Sequence, residues 1–228
     1  MFEAILFDLD GTLVDYVDSD IQALRWLHSQ TGTKIAFDLF LDTSVEEIMN
    51  FHTLVAERKI NPLLMHEFRL KNTLIRHGIN WDNHFINLYR KKLIELCIPF
   101  AGVEKLLSGI QKKVKTGLIT NAYDGDEQRD RIRNSGLEPY FDAIIIAGDI
   151  GIYKPDPSIF LYALNRINVS PQQALYIGDS VSHDIAGAKS AGMKTVLFSR
   201  YSNRDTDITD YCVQEIDGLQ TLFNKMGI

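Results

Sequence analysis

The chain has 228 residues, with 24 Lys and Arg against 30 Asp and Glu for a net charge of −6, and 45% of its residues are hydrophobic. That length is ample for a buried core, and that apolar share excludes a disordered chain. No apolar run approaches the roughly 18–20 residues that span a bilayer, so no membrane partner is expected. An acidic chain without a Lys/Arg stripe argues against binding a nucleic-acid polymer. A small anionic ligand stays compatible, because it needs only a local pocket. The first residues carry no basic stretch and meet Asp8 too early for a signal peptide. Cys97 and Cys212 form no CxxC pair, so a reduced, cytoplasmic setting is expected.

In chain order, the apolar run Ala4–Phe7 predicts a first strand that ends at Asp8. Residues 16–98 then hold only two of the 15 glycines, Gly32 and Gly78, and one of the six prolines, Pro62. So few turn formers predict a helical segment. Ile21, Leu24 and His28 share one helical face before Gly32. Pro62 opens a second helix through Leu63, Phe68, Leu70 and Leu74, stopped by Gly78. A third runs from His84 to Leu96, before Pro99. Beyond it, apolar runs at Thr116–Ile119, Ala143–Ala147, Ala174–Ile177 and Thr195–Phe198 predict four further strands. None alternates with period two, which suits a parallel sheet covered on both faces. Between them, Asp156 and Pro157 start a helix with the apolar stripe Ile159, Phe160, Ala163, Leu164 and Ile167. Another is expected from Ser182 to Ala191, ending at Gly192. The expected fold is α/β: an open, doubly wound, Rossmann-like parallel sheet, with a helical insertion after its first strand. The expected boundaries are residues 1–15 with 99–228 for the sheet domain, and 16–98 for the insertion.

Ligands of such sheets bind outside the carboxyl ends of the strands. Asp8 and Asp10, Thr120 and Asn121, and Asp179 all lie at such ends, and Lys154 follows the Ala143–Ala147 strand closely enough to return there. The carboxylates Asp8, Asp10, Asp179 and Asp184 repel one another unless a cation neutralises them, and hard oxygen ligands favour Mg²⁺. A carboxylate can attack phosphorus and form an aspartyl-phosphate. A second one at the Gly11–Thr12 turn can protonate the leaving oxygen and then activate water. Thr120 and Lys154 offer donors to the phosphoryl oxygens, as do backbone N–H groups near Asn121. Taken singly, Thr120 and Asn121 also read as a cap and turn pair, and Asp184 as a favourable charge at a helix start.

Asp8-Leu9-Asp10-Gly11-Thr12-Leu13-Val14-Asp15, Leu118-Ile119-Thr120-Asn121, Tyr153-Lys154-Pro155-Asp156-Pro157 and Gly178-Asp179-Ser180-Val181-Ser182-His183-Asp184 occur in that order. Together they resemble the four signature motifs of the haloacid dehalogenase-like hydrolase superfamily. The resemblance implies that Asp8 is the nucleophile and a metal ligand. It makes Asp10 the general acid and base, with its backbone carbonyl facing the metal. Thr120, Asn121 and Lys154 become the phosphate-binding set, and Asp179 and Asp184 metal carboxylates, Asp184 directly or through water. The insertion resembles the family's helical cap. True 2-haloacid dehalogenases lack the second aspartate of DxD and the Gly-Asp of the last motif, so Asp10 and Asp179 disfavour that reaction.

The resemblance implies a Mg²⁺-dependent phosphatase of a small phosphorylated metabolite: a nucleoside monophosphate, a sugar phosphate or a phosphoglycolate-like ester. A phosphomutase using the same aspartyl-phosphate and a non-catalytic binding protein are the alternatives. Tyr16 departs from the small residue many relatives carry there. Tyr16, Asp18, His52, Arg58 and Arg69 are the polar or cationic candidates for substrate selection. The cap histidines (His28, His52, His66, His77 and His84) have no HxxxH spacing and read as packing or surface residues, as do Trp26 and Trp81. His183 reads as an outer neighbour of the metal or an exposed helix-start residue, and both cysteines as packing positions.

Overall fold

A computed structural model describes residues 2–200 and 207–228; Met1 and residues 201–206, which fall in the expected sheet domain, lie outside the described residues. In chain order its elements begin with β1 (Ala4–Phe7), α1 (Tyr16–Gln30), α2 (Phe37–Ala56), α3 (Met65–Arg76), α4 (His84–Glu95) and α5 (Val103–Ile110). Next come β2 (Lys115–Thr120), α6 (Gly125–Asn134), β3 (Ala143–Ile146), the single turn α7 (Ala147–Ile150), α8 (Pro157–Ile167) and β4 (Ala174–Gly178). A π-helical turn (Val181–Ile185), α9 (Ala186–Ser190), β5 (Lys194–Phe198), β6 (Tyr211–Val213) and α10 (Ile216–Met226) complete the chain. The chain divides into two units, one made of Met1–Tyr16 and Ile98–Ile228, the other of Val17–Cys97. Among the described residues no helix is long and apolar enough to cross a membrane.

In the first unit the described strands form one six-stranded sheet in the order β3-β2-β1-β4-β5-β6, and every pairing is parallel. All four residues of β1 are buried, as a strand covered on both faces requires. The chain winds outward from β1 through β2 to β3, then returns to the other side of β1 for β4, β5 and β6. The order therefore reverses between β1 and β4, the switch point where such sheets open a crevice at their carboxyl ends. On one face Ile159, Phe160, Ala163, Leu164 and Ile167 of α8 pack against Leu6, Ile119, Ile145 and Tyr176. Asp156 caps α8 by accepting from the Ser158 N–H at 2.9 Å, and Pro157 fills its first turn.

The sheet's register is held by a device used twice. Asp142, just before β3, accepts from the Thr116 N–H at 2.8 Å and from Lys115 at 3.0 Å. Asp210, just before β6, accepts from the Thr195 N–H at 3.0 Å and from Lys194 at 2.7 Å. Desolvation pushes the Asp142 carboxyl up, but the Thr116 N–H and Lys115 outweigh it and hold the group below the ordinary aspartate range. A depressed carboxyl stabilises the fold above its unfolded value and loses that contribution as pH falls through its folded one. Asp142→Ala leaves the buried Thr116 N–H without this acceptor and is expected to lower unfolding free energy by about 1–2 kcal/mol at pH 7. In urea titrations the deficit should shrink as the solution is made more acidic than the aspartate range. An unchanged midpoint at pH 7 would show that the pairing is not stabilising.

The second unit holds most of α1 together with α2, α3 and α4. At its centre Arg69, 2% exposed, joins all four. Its Nη1 and Nη2 donate to the two carboxylate oxygens of Asp20 (α1) at 2.9 Å each. Its Nε donates to Ser44 Oγ (α2) at 2.7 Å, and Tyr89 (α4) donates to Asp20 Oδ1 at 2.5 Å. Arg69, one of the five candidates for substrate selection, is thus an internal post of this unit. His28 lies against Phe37 and Phe40 and His77 against Phe40, whereas His52 is exposed. Helix α2 and strand β6 were not anticipated. The inward face of α2 carries Thr43, Ser44 and Glu47 between Phe40 and Phe51, which breaks the apolar period. Strand β6 has three residues and is largely exposed; its Cys212 is exposed, in contrast to buried Cys97.

Candidate active site

The site lies at the switch point. Asp8 is the first residue beyond β1, and its N–H extends the pairing with β4 by donating to Ile177 O at 2.9 Å. The chain then turns sharply at Gly11, whose φ of +86° suits glycine. Glycine also clears space, since a Cβ there would stand 2.4 Å from Asp179 Oδ2. At the end of β4, a Cβ on Gly178 would fall 2.4 Å from Asp184 Cγ. Both glycines thus allow a carboxylate to approach the backbone. Asp184 is aimed inward by the π-helical turn, in which the Ile185 N–H reaches back to Ser180 O at 3.1 Å. Such turns recur at functional sites, and a plain helix was expected here.

Buried Lys154 gathers the centre. Its Nζ donates to Asp8 Oδ1 at 2.6 Å and Asp184 Oδ1 at 2.7 Å, with Ile119 O at 3.1 Å and the Tyr176 hydroxyl at 3.2 Å. Asn121 fixes this lysine from behind. Its side-chain amide donates to Lys154 O at 3.0 Å and accepts from Lys154 N–H at 2.9 Å. Both polar atoms of the Asn121 side chain are therefore engaged with the Lys154 backbone. The Lys154–Pro155 peptide is cis. Asp184 also accepts from the Ser180 N–H at 3.0 Å through Oδ2 and from Tyr176 at 3.1 Å through Oδ1.

One oxygen each of Asp8, Asp179 and Asp184 lie within 4.8 Å of one another. Burial pushes the Asp8 carboxyl well above its ordinary range; Lys154 pulls it down, while Asp184 and Asp179 push it up again. Asp179 keeps an exposed face, yet burial first and the Asp184 charge second lift it up to about 6. Burial draws the Lys154 ammonium down, but Asp184 and Asp8 outweigh that and hold it above its usual value. One lysine therefore does not neutralise three carboxylates. An all-oxygen set with surplus negative charge fits a hard divalent cation such as Mg²⁺, which takes few carboxylates and keeps waters.

Asp10 and Thr120 sit beside this cluster, joined by two residues that sequence reasoning missed. The Gln128 amide donates to Thr120 Oγ1 at 2.8 Å and to Asp10 Oδ2 at 3.2 Å. Arg131 grips the Asp10 carboxylate with Nη2 to Oδ1 at 2.5 Å and Nη1 to Oδ2 at 3.0 Å. Both lie on α6, whose buried face is Gln128, Arg131 and Ile132. One apolar residue in that face is a faint signal that polar groups are buried there. Tyr176 was also missed, because in β4 it reads as one more apolar strand residue. His183 is exposed, with Nδ1 3.0 Å from Ser180 Oγ.

The chain is 29% identical over 229 residues to a glyceraldehyde 3-phosphate phosphatase of Pyrococcus furiosus, covering 98% of this chain and 92% of that one. It is 31% identical over 204 residues to a phosphorylated carbohydrates phosphatase of Thermotoga maritima, covering 89% and 88%. Among solved structures, the HAD-hydrolase YfnB of Bacillus subtilis, bound to magnesium, superposes with a TM-score of 0.82 at 26% identity, covering 100% of this chain and 99% of that one. The family model of the haloacid dehalogenase-like hydrolases matches residues 5–198, a span that carries Asp8, Asp10, Asp179, Asp184, Lys154, strands β2 to β5 and all of β1 but its first residue. By that match and by the fold, this chain belongs to the haloacid dehalogenase-like hydrolases.

Proposed function

We propose that this chain is a Mg²⁺-dependent phosphatase that hydrolyses a small phosphomonoester through an aspartyl-phosphate on Asp8. The observation that carries this reading is a buried Asp8 whose carboxylate shares one lysine with Asp184 and lies within a 4.8 Å oxygen cluster that includes Asp179. Asp8, Asp179 and Asp184 would hold the metal, with the Asp10 backbone carbonyl as a further ligand. Bound there, Mg²⁺ supplies the positive charge that lets an anionic nucleophile meet an anionic phosphoryl group.

In the first step an Asp8 oxygen bonds to phosphorus as the ester P–O bond breaks, and Asp10 gives its proton to the leaving oxygen. In the second, Asp10 takes a proton from water as the water oxygen bonds to phosphorus. The Asp8–phosphorus bond then breaks and inorganic phosphate departs. Lys154 and the Thr120 hydroxyl hold the equatorial oxygens, where charge builds in the transition state. Gln128 orients Thr120, and Asn121 orients Lys154.

Residues 17–97 are proposed as the cap that selects the substrate and excludes water during the first step. Asp18, His52 and Arg58 remain its exposed polar candidates. The named substrates of the Pyrococcus and Thermotoga relatives make phosphorylated carbohydrates the first class to test, with nucleoside monophosphates and phosphoglycolate beside them. A cytoplasmic setting belongs to the same reading, supported by two free cysteines, one of them exposed.

Phosphate release from nitrophenyl phosphate and from that panel, with Mg²⁺ or with EDTA, tests the reading. Metal-dependent release supports hydrolysis. Turnover of a sugar phosphate to an isomer without free phosphate would support a mutase instead. Asp179 gives a test of the metal that does not depend on activity. A carboxyl raised to about 6 carries a proton at pH 5 that the cation must displace, and carries none at pH 8. Mg²⁺ is therefore expected to raise the wild-type melting temperature more at pH 8 than at pH 5. In Asp179→Ala both the shift and its pH dependence should shrink, and the Mg²⁺ needed for half-maximal activity should rise. An Asp179→Ala protein with wild-type metal titrations would remove Asp179 from the metal.

A further inference from the structure

We infer that Arg131 is a positioning residue for Asp10, fixing where the acid–base carboxylate waits between the two chemical steps, with Gln128 tying that position to Thr120. The inference rests on the proposed acid–base role of Asp10 and extends it to residues on α6 that the four motifs do not contain.

The geometry is specific. Asp10 leaves the β1 end on a turn, and its side chain is 25% exposed, so packing encloses it only in part. Arg131 is 2% exposed and presents the two arms of its guanidinium to the two carboxylate oxygens. That paired geometry fixes direction as well as distance. Its own orientation is set from two sides. Nη1 also donates to Gln128 Oε1 at 2.7 Å, and the guanidinium carbon lies 4.9 Å from the centre of the Tyr16 ring. The Gln128 amide, held through its oxygen, is left to donate to both Thr120 Oγ1 and Asp10 Oδ2. One hydrogen-bonded chain therefore runs from Arg131, stacked on the Tyr16 ring, through Gln128 to the acid–base carboxylate and the phosphoryl-binding hydroxyl. It also gives Tyr16, the residue that departs from the family pattern, a contact inside the sheet unit.

A residue that only anchored α6 to the sheet would need neither paired contact with Asp10 nor a neighbour shared between Asp10 and Thr120. A positioning residue needs both. Its loss lets Asp10 sample orientations from which it reaches neither the leaving oxygen nor the attacking water. Misplacement by about 1 Å costs on the order of 10²-fold in rate.

The test is a double-mutant cycle on a sugar phosphate, with nitrophenyl phosphate in parallel. Arg131→Met is expected to lower kcat for the sugar phosphate roughly 10–10²-fold. With nitrophenyl phosphate, whose leaving group needs no proton, the first step should be nearly spared and the loss should fall on the second, seen as a burst of nitrophenol before slow turnover. Arg131→Lys, which keeps the charge without the paired geometry, should fall between. The double variant Asp10→Asn/Arg131→Met should be no slower than Asp10→Asn alone, since a group acting through Asp10 has nothing left to position. Should Arg131→Met not fold, Asp10→Asn/Arg131→Lys serves in its place. Losses that multiply in the double variant, or wild-type kcat in both Arg131 variants, would overturn the inference while leaving the acid–base reading intact. Wild-type kcat in Asp10→Asn would overturn that reading, and the inference with it.

Discussion

Replacing Asp8 with asparagine is expected to lower kcat by at least roughly 10⁴-fold, on the scale of removing a nucleophile, while the fold survives. An amide oxygen is a far poorer nucleophile than a carboxylate and cannot form the acyl-phosphate. The fold should tolerate the change because Lys154 keeps its 2.7 Å bond to Asp184, so no buried cation loses its last partner. Asparagine also removes one of three crowded carboxylates, whose burial and mutual repulsion already push Asp8 upward. Without Mg²⁺, the variant's melting temperature should therefore equal or exceed that of the wild type. With Mg²⁺ the wild type should gain more, because it keeps the full set of ligands. Phosphate release and thermal melts on the same samples separate a missing nucleophile from a damaged fold. Substantial turnover in the variant would remove Asp8 from the chemistry.

Asp10→Asn should have the second largest effect, roughly 10²–10⁴-fold in kcat, the usual range for acid–base catalysis. Through its one oxygen asparagine can still accept from Arg131 Nη1 and Gln128, giving up only the bond from Arg131 Nη2, so the packing of α6 on the sheet should persist. What it cannot do is hold and return a proton. The loss should depend on the leaving group. An alkyl ester leaves as a strongly basic alkoxide and needs the proton; a nitrophenyl ester does not, so its first step should be nearly spared. Its second step still needs a base for water. The aspartyl-phosphate should therefore accumulate with the aryl ester, seen as a burst of nitrophenol followed by slow turnover. Equal losses with both esters and no burst would place the proton on another residue.

Much of this architecture could be read from the chain because parallel strands buried on both faces leave continuous apolar runs. Ala4–Phe7 and Ala174–Gly178 are such runs, and each is followed by an aspartate. Once both were strand ends of one sheet, Asp8 and Asp179 were bound to meet at the switch point. Harder to see were polar residues that face inward. Thr43, Ser44 and Glu47 hid α2 by occupying its buried face. Gln128 and Arg131 look like surface residues of a charged helix until the sheet supplies Asp10 and Thr120 as their partners. The buried role of Arg69 is hidden for the same reason. Its partners Asp20, Ser44 and Tyr89 come from three other helices, and no local pattern announces that convergence. The register locks at Asp142 and Asp210 are likewise tertiary, since each aspartate acts on the strand neighbouring the one it precedes.

The covalent step on Asp8 is tested most directly by trapping it. The wild-type protein with Mg²⁺ would be mixed with a nitrophenyl or sugar phosphate, quenched in acid within the burst, and reduced with borohydride. Reduction converts an aspartyl-phosphate to homoserine, which peptide mass spectrometry places in the sequence. Homoserine at position 8, absent when substrate or Mg²⁺ is withheld, is the expected result. Homoserine elsewhere, or rapid phosphate release with position 8 untouched, would contradict an aspartyl-phosphate on Asp8.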